Sequence, residues 1–133
     1  MAKKSAFSLI ELLVVIAIIG ILVSVATVSY TTIQKRSRDS RRMTDMKAVQ
    51  NAFEQYYGDN TMYPASCSLS PTYLPLGIPI DPKNSTPYIY GTDAVCSSTG
   101  YCYCARLEMG GGNATNATCT FGSGSFYCVK NLQ

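Results

Sequence analysis

Glu11 is the only acid before Asp39, and it sits between a short basic start, Lys3-Lys4-Ser5-Ala6, and a long apolar run. In a bilayer an unpartnered carboxylate costs about 2.5–3.5 kcal/mol on insertion scales, so a cation is expected to meet it. The other reactive side chains are six cysteines, Cys67, Cys96, Cys102, Cys104, Cys119 and Cys128, all well downstream. An even count on one side of an apolar segment reads as disulfides formed in an oxidising compartment. Fifteen pairings exist, and spacing does not choose among them. Cys102 and Cys104 should not pair with each other, because they stand about 6.6 Å apart along one strand. Zinc is the competing reading, but the chain has no Cys-x-x-Cys pair and no His, so no metal is expected. Without His the usual neutral-pH base is missing too. No acid, base and nucleophile converge, so neither an enzyme nor a cofactor is expected.

The elements that must position these groups follow from hydropathy. Leu12 to Ile33 is a run of 22 residues without a charge, roughly 33 Å of helix and enough to cross a bilayer core. A buried core helix is the bland reading, but a domain this small cannot surround one on all sides. Beyond it Met43, Met46, Val49, Phe53 and Tyr56/Tyr57 recur at three- and four-residue steps and form one apolar stripe. No Pro or Gly interrupts Ile21 to Tyr57, and Gly58-Asp59-Asn60 supplies a stop with Gly58 in the left-handed position. One helix over 7–57 is expected, roughly 76 Å long, of which residues 7–33 form a membrane segment and 34–57 a stem.

Residues 58–133 read as a Cys-rich head. All six Pro lie from Pro64 to Pro87, which predicts a loop with turns. Three strands are expected, Tyr88 to Tyr90, Tyr101 to Glu108 and Ser125 to Asn131, in a small antiparallel sheet. The second alternates, with Tyr101, Tyr103, Ala105 and Leu107 on a face that covers the helix stripe, and Cys102, Cys104 and Arg106 on the other, tied to loops outside the sheet. Residues 110–125 (GGGNATNATCTFGSGS) read as a flexible, exposed loop closed in part by Cys119. The fold class is therefore α+β.

The segment Ala6-Phe7-Ser8-Leu9-Ile10-Glu11 behind a basic leader resembles the type IV prepilin signal, in which the apolar region follows the cut instead of preceding it. The resemblance implies that a prepilin peptidase removes the leader 1–6 between Ala6 and Phe7 and methylates the Phe7 amine. It implies that this amine, on a neighbouring subunit, is the cation for Glu11. Ala6 stands where the family usually has Gly. Gly20 and Ser24 form a small-xxx-small face for close helix approach. The stretch Phe53 to Pro64 is similar to the helix end of major pilins and pseudopilins, and Ile80-Asp81-Pro82 with Pro87 to Tyr90 resembles the first-strand entry of the type II secretion major pseudopilin. Two departures stand out: Val28 occupies the place of a frequent mid-membrane Pro, and no acid follows Glu108, which argues against that pseudopilin's calcium loop.

The resemblance thus implies a filament subunit, a single-pass inner-membrane protein before assembly and part of a surface filament afterwards. Its partners would be other copies of itself, the peptidase, an inner-membrane assembly platform and, before assembly, membrane lipid. A major pilin serving adhesion, twitching or DNA uptake is preferred to a secretion pseudopilin on the Cys-rich head and the missing acidic loop. From another class comes a secreted Cys-rich domain cut after Ser24-Val25-Ala26, which leaves Glu11 and the stem without a role. Lys35, Arg36, Arg38, Arg41, Arg42 and Lys47 face only Asp39 and Asp45, whereas residues 48–133 carry three Lys/Arg and five Asp/Glu. By the positive-inside rule this cluster belongs in the cytoplasm, against the prepilin reading, and the leader and the cysteines decide for the latter. The cluster reads as a solvated or inter-subunit face, and nothing else indicates nucleic acid. Asn84, Asn113 and Asn116 each open a glycosylation acceptor pattern, with Asn113 and Asn116 expected to be exposed. Without the Pro, the membrane helix is expected to stay continuous in a filament, at most locally stretched between Gly20 and Ser29.

Overall fold

The computed structural model describes residues 7–133, with the side chains of 26–29 left aside. The leader, including Ala6, lies outside the described residues. The helix α1 runs Leu9–Asn60, and five strands follow: β1 Val95–Ser97, β2 Gly100–Arg106, β3 Gly112–Ala114, β4 Phe121–Gly124 and β5 Phe126–Lys130. The fold is α+β. The chain divides between Gln34 and Lys35 into two compact units.

In the first unit, α1 exposes its apolar side chains, among them Leu12, Ile16, Ile19, Leu22 and Val25. By length and composition this helix is able to cross a membrane. Ser24 returns its hydroxyl to the Ile21 carbonyl at 2.7 Å, a local bond that leaves the helix intact.

In the second unit the stem end of α1 lies on the sheet. Met46, Val49, Phe53, Tyr101, Tyr103, Ala105 and Val129 form the buried core, with Tyr63 from the loop. The aromatic rings meet directly, Phe53 and Tyr101 at 4.5 Å and Tyr63 and Tyr101 at 5.1 Å between centroids. Glu54 takes up the polar ends, accepting from Tyr63 at 3.0 Å and Tyr101 at 3.1 Å. Burial first, and Glu54 second, push the Tyr63 hydroxyl up to about 12, so it remains a donor. Met43 and the Tyr56/Tyr57 pair are half-buried at the edges of the stripe.

The sheet has five strands in the order β1-β2-β5-β3-β4, not three. The strands expected at 101–108 and 125–131 form, slightly shortened. Tyr88 to Tyr90 forms none: Tyr88 N–H donates to the Ser85 carbonyl at 2.6 Å in a tight turn, and its ring lies under two cations. Residues 110–125, read as a loop, hold β3 and β4. Glycine makes this close pairing feasible, since a Cβ on Gly112 would collide with the Phe126 carbonyl and one on Gly124 with the Ala114 carbonyl. The helix also runs three residues further than expected, and Thr61, at φ 56°, takes the left-handed position assigned to Gly58.

Candidate assembly segment and stem–head anchor

At the start of α1, Glu11 accepts the Ser8 backbone N–H at 2.8 Å. Ser8-x-x-Glu11 is thus half of a capping box, with the acid satisfying an amide that the helix leaves free. The expected partner was a cation from a neighbouring subunit; the Ser8-x-x-Glu11 spacing was the sequence signal for this local bond as well. The bond engages one carboxylate oxygen, and among the described residues no other hydrogen bond or ion pair engages Glu11. Phe7 is 88% exposed and lines an open, mainly apolar hollow of about 400 Å³ with Ile10, Glu11, Val14 and Val15. Around Gly20 the surface is bare, with nothing within 4 Å of where a Cβ would stand.

The second site is ionic. Arg42 lies in register with the apolar stripe, four residues before Met46, and is fully buried. Its guanidinium is forked on Asp81 at 2.6 and 2.9 Å, and one arm also reaches Asp39 at 2.7 Å and Glu108 at 2.8 Å. Arg38 forks on Glu108 at 2.7 and 2.9 Å. Asp39 in turn accepts the Glu108 and Met109 amides at 2.8–3.1 Å. Tyr88 presents its ring to Arg42 and Lys83 at 4.6 and 4.5 Å. Arg38 foremost, and then Arg42, hold the Glu108 carboxyl down to about 2. Burial opposes ionisation of Asp81, but hydrogen bonds from Arg42 outweigh it and its pKa lies below the usual value. Arg38 and Arg42 are therefore spent within the head, which corrects the reading of the whole cluster as a solvated or inter-subunit face. A cation in step with an apolar stripe was the signal available in the sequence.

The cysteines pair Cys67–Cys96, Cys102–Cys119 and Cys104–Cys128. Cys104 and Cys128 are direct neighbours across β2 and β5, so this bond lies inside the sheet and not between sheet and loop. Cys67–Cys96 ties the Pro-rich loop to β1. Asn113 and Asn116 are exposed, yet their amides are engaged. Asn113 exchanges two hydrogen bonds with the Cys128 backbone at 2.9 and 2.7 Å, and Asn116 organises the turn through Thr118 and Thr120. Asn84 is exposed and takes φ 42°.

Residues 1–27 match the family model for the prokaryotic N-terminal methylation motif. The chain is 33% identical over 66 residues to the type II secretion system core protein G of Vibrio cholerae, covering 50% of this chain and 45% of that one. It is 36% identical over 61 residues to the type IV major pilin protein PilA of Myxococcus xanthus, covering 46% and 28%. A probable minor fimbrial protein of Dichelobacter nodosus is 39% identical over 61 residues, covering 46% and 38%. The chain thus spans less than half the length of these curated relatives. No solved structure matches it. The methylation motif and the apolar helix fit inner-membrane anchoring followed by an extracellular filament. By its N-terminal methylation motif and these partial matches the chain is similar to type IV pilins and type II secretion pseudopilins.

Proposed function

We propose that this chain is the major subunit of a type IV pilus-like surface filament. A prepilin peptidase cuts between Ala6 and Phe7 and methylates Phe7. Residues 7–33 hold the subunit in the inner membrane, 34–57 form the stem and 58–133 the head. On assembly the apolar helix leaves lipid for contacts with other copies, Glu11 takes the Phe7 amine of a neighbour, and Gly20 lets helices approach. The observation that carries this reading is the methylation motif over residues 1–27, which takes in the start of an apolar helix whose side chains over 9–25 are exposed. Such a helix needs lipid or other helices around it.

Likeness to the type II secretion core protein favours a second reading, a pseudopilin that works as a moving part of a secretion machine. Three disulfides in the head and no acid beyond Glu108 support the pilus reading instead. Mass spectrometry of fibres sheared from wild-type cells decides between them. The chain as the dominant component supports a pilus. Its absence from fibres, with loss of protein export on deletion, supports the pseudopilin.

A further inference from the structure

Of the six stem cations, Arg41 reaches Asp45 at 4.0 Å and Lys47 donates to Gln50 at 3.1 Å, and the other four divide into two groups. Arg42 is fully buried among three carboxylates, and Arg38 is forked on Glu108. Asp39, the first acid after the apolar span, is also spent, since it accepts Arg42 and two backbone amides. Lys35 and Arg36 are different. Both are exposed, and no hydrogen bond or ion pair engages either among the described residues. The turn that directly follows the apolar span therefore carries two uncompensated positive charges.

Their depth follows from helical rise. Twenty residues cross a bilayer core, so a span beginning at Leu12 ends at Thr31. Lys35 and Arg36 then stand about 6–8 Å further along the helix, inside the headgroup layer that flanks the core. Both have long stems able to place the charge at phosphate level.

We propose that Lys35 and Arg36 form a docking surface for anionic phospholipid headgroups, which collect around the subunit before assembly. This rests on the membrane-anchored reading above. Charge complementarity and depth select this occupant, because a headgroup phosphate is the anion present at that level along the helix. Two cations near a surface raise the local share of anionic lipid up to about fivefold each at low salt, and salt screens the effect. Entry into a filament then exchanges lipid phosphates for protein neighbours.

The chain contains no Trp, so Tyr30→Trp provides a single reporter. The full chain is reconstituted in vesicles of phosphatidylethanolamine and phosphatidylglycerol carrying a dansyl label on one lipid or the other. Energy transfer to labelled phosphatidylglycerol is expected to exceed that to labelled phosphatidylethanolamine about threefold or more at low salt. It should fall to parity near 1 M salt and in the Lys35→Gln/Arg36→Gln variant. Vesicle flotation, which reports anchoring alone, should be the same for both chains. Equal transfer to the two lipids in the parent chain overturns the proposal, as does a preference that survives in the variant. A parent chain that shows no lipid preference but shifts duplex DNA has a nucleic-acid surface instead. Failure to float overturns the anchored reading as well.

Discussion

Replacing Arg42 by Leu tests the ionic anchor. The side chain is fully buried and serves Asp81, Asp39 and Glu108 together. Removing it affects the three acids unequally. Glu108 keeps Arg38, and Asp39 keeps two backbone amides. Asp81, whose side chain is fully buried, keeps the Lys83 amide but loses its only ion pair among the described residues. Breaking a buried pair from one side costs about 3–5 kcal/mol, chiefly through the charge left behind. Arg42→Leu/Asp81→Leu removes that charge, so the double variant should recover at least about 2 kcal/mol of the loss. The assay is urea unfolding of the full chain in detergent, followed by the near-ultraviolet dichroism of its tyrosines. A single variant that loses less than about 1 kcal/mol refutes the reasoning, as does a double variant no more stable than the single.

The remaining expectations are brief. Glu108 is held down to about 2, so its contribution is complete above the ordinary carboxylate range and is lost as pH falls from about 4.5 towards 2. The melting temperature of the head should drop through that window, and a flat profile contradicts the anchor. In Arg42→Leu the orphaned Asp81 favours protonation, so its deficit relative to the parent chain should shrink as pH falls from 7. Full reduction, with free thiols confirmed, should lower the melting temperature sharply, since each disulfide is worth about 2–4 kcal/mol; an unchanged curve removes the disulfides from the account. Glu11→Gln should insert and be cut normally yet yield few filaments, and a normal yield would remove the assembly role assigned to Glu11.

What could be read from the sequence followed periodicity. The stripe Met46, Val49, Phe53 and the alternation Tyr101, Tyr103, Ala105 both mark buried faces, and each pattern spans enough residues to be unambiguous. The short strands β3 and β4 were not legible, because Gly112, Gly122 and Gly124 look like linker residues and carry no alternation. Gly112 and Gly124 let them pair, because the neighbouring backbone comes too close at those two positions for a side chain. Tyr88 to Tyr90 failed for the opposite reason. Its composition suits a strand, but the Tyr88 ring is engaged by Arg42 and Lys83. The ionic anchor joins residues 39 and 66 positions apart, separations that no local pattern reveals. At the N-terminus the residue types of the motif were all visible, and only the capping bond from Ser8 was overlooked.

The most direct test of the central claim is the N-terminus of the mature chain, read by sequencing and intact mass from isolated filaments or membranes. A processed filament subunit begins at Phe7 and carries a methyl group on its amine. A chain beginning at Thr27 would identify an ordinary secreted domain, and one that keeps Met1 to Ala6 would contradict processing altogether.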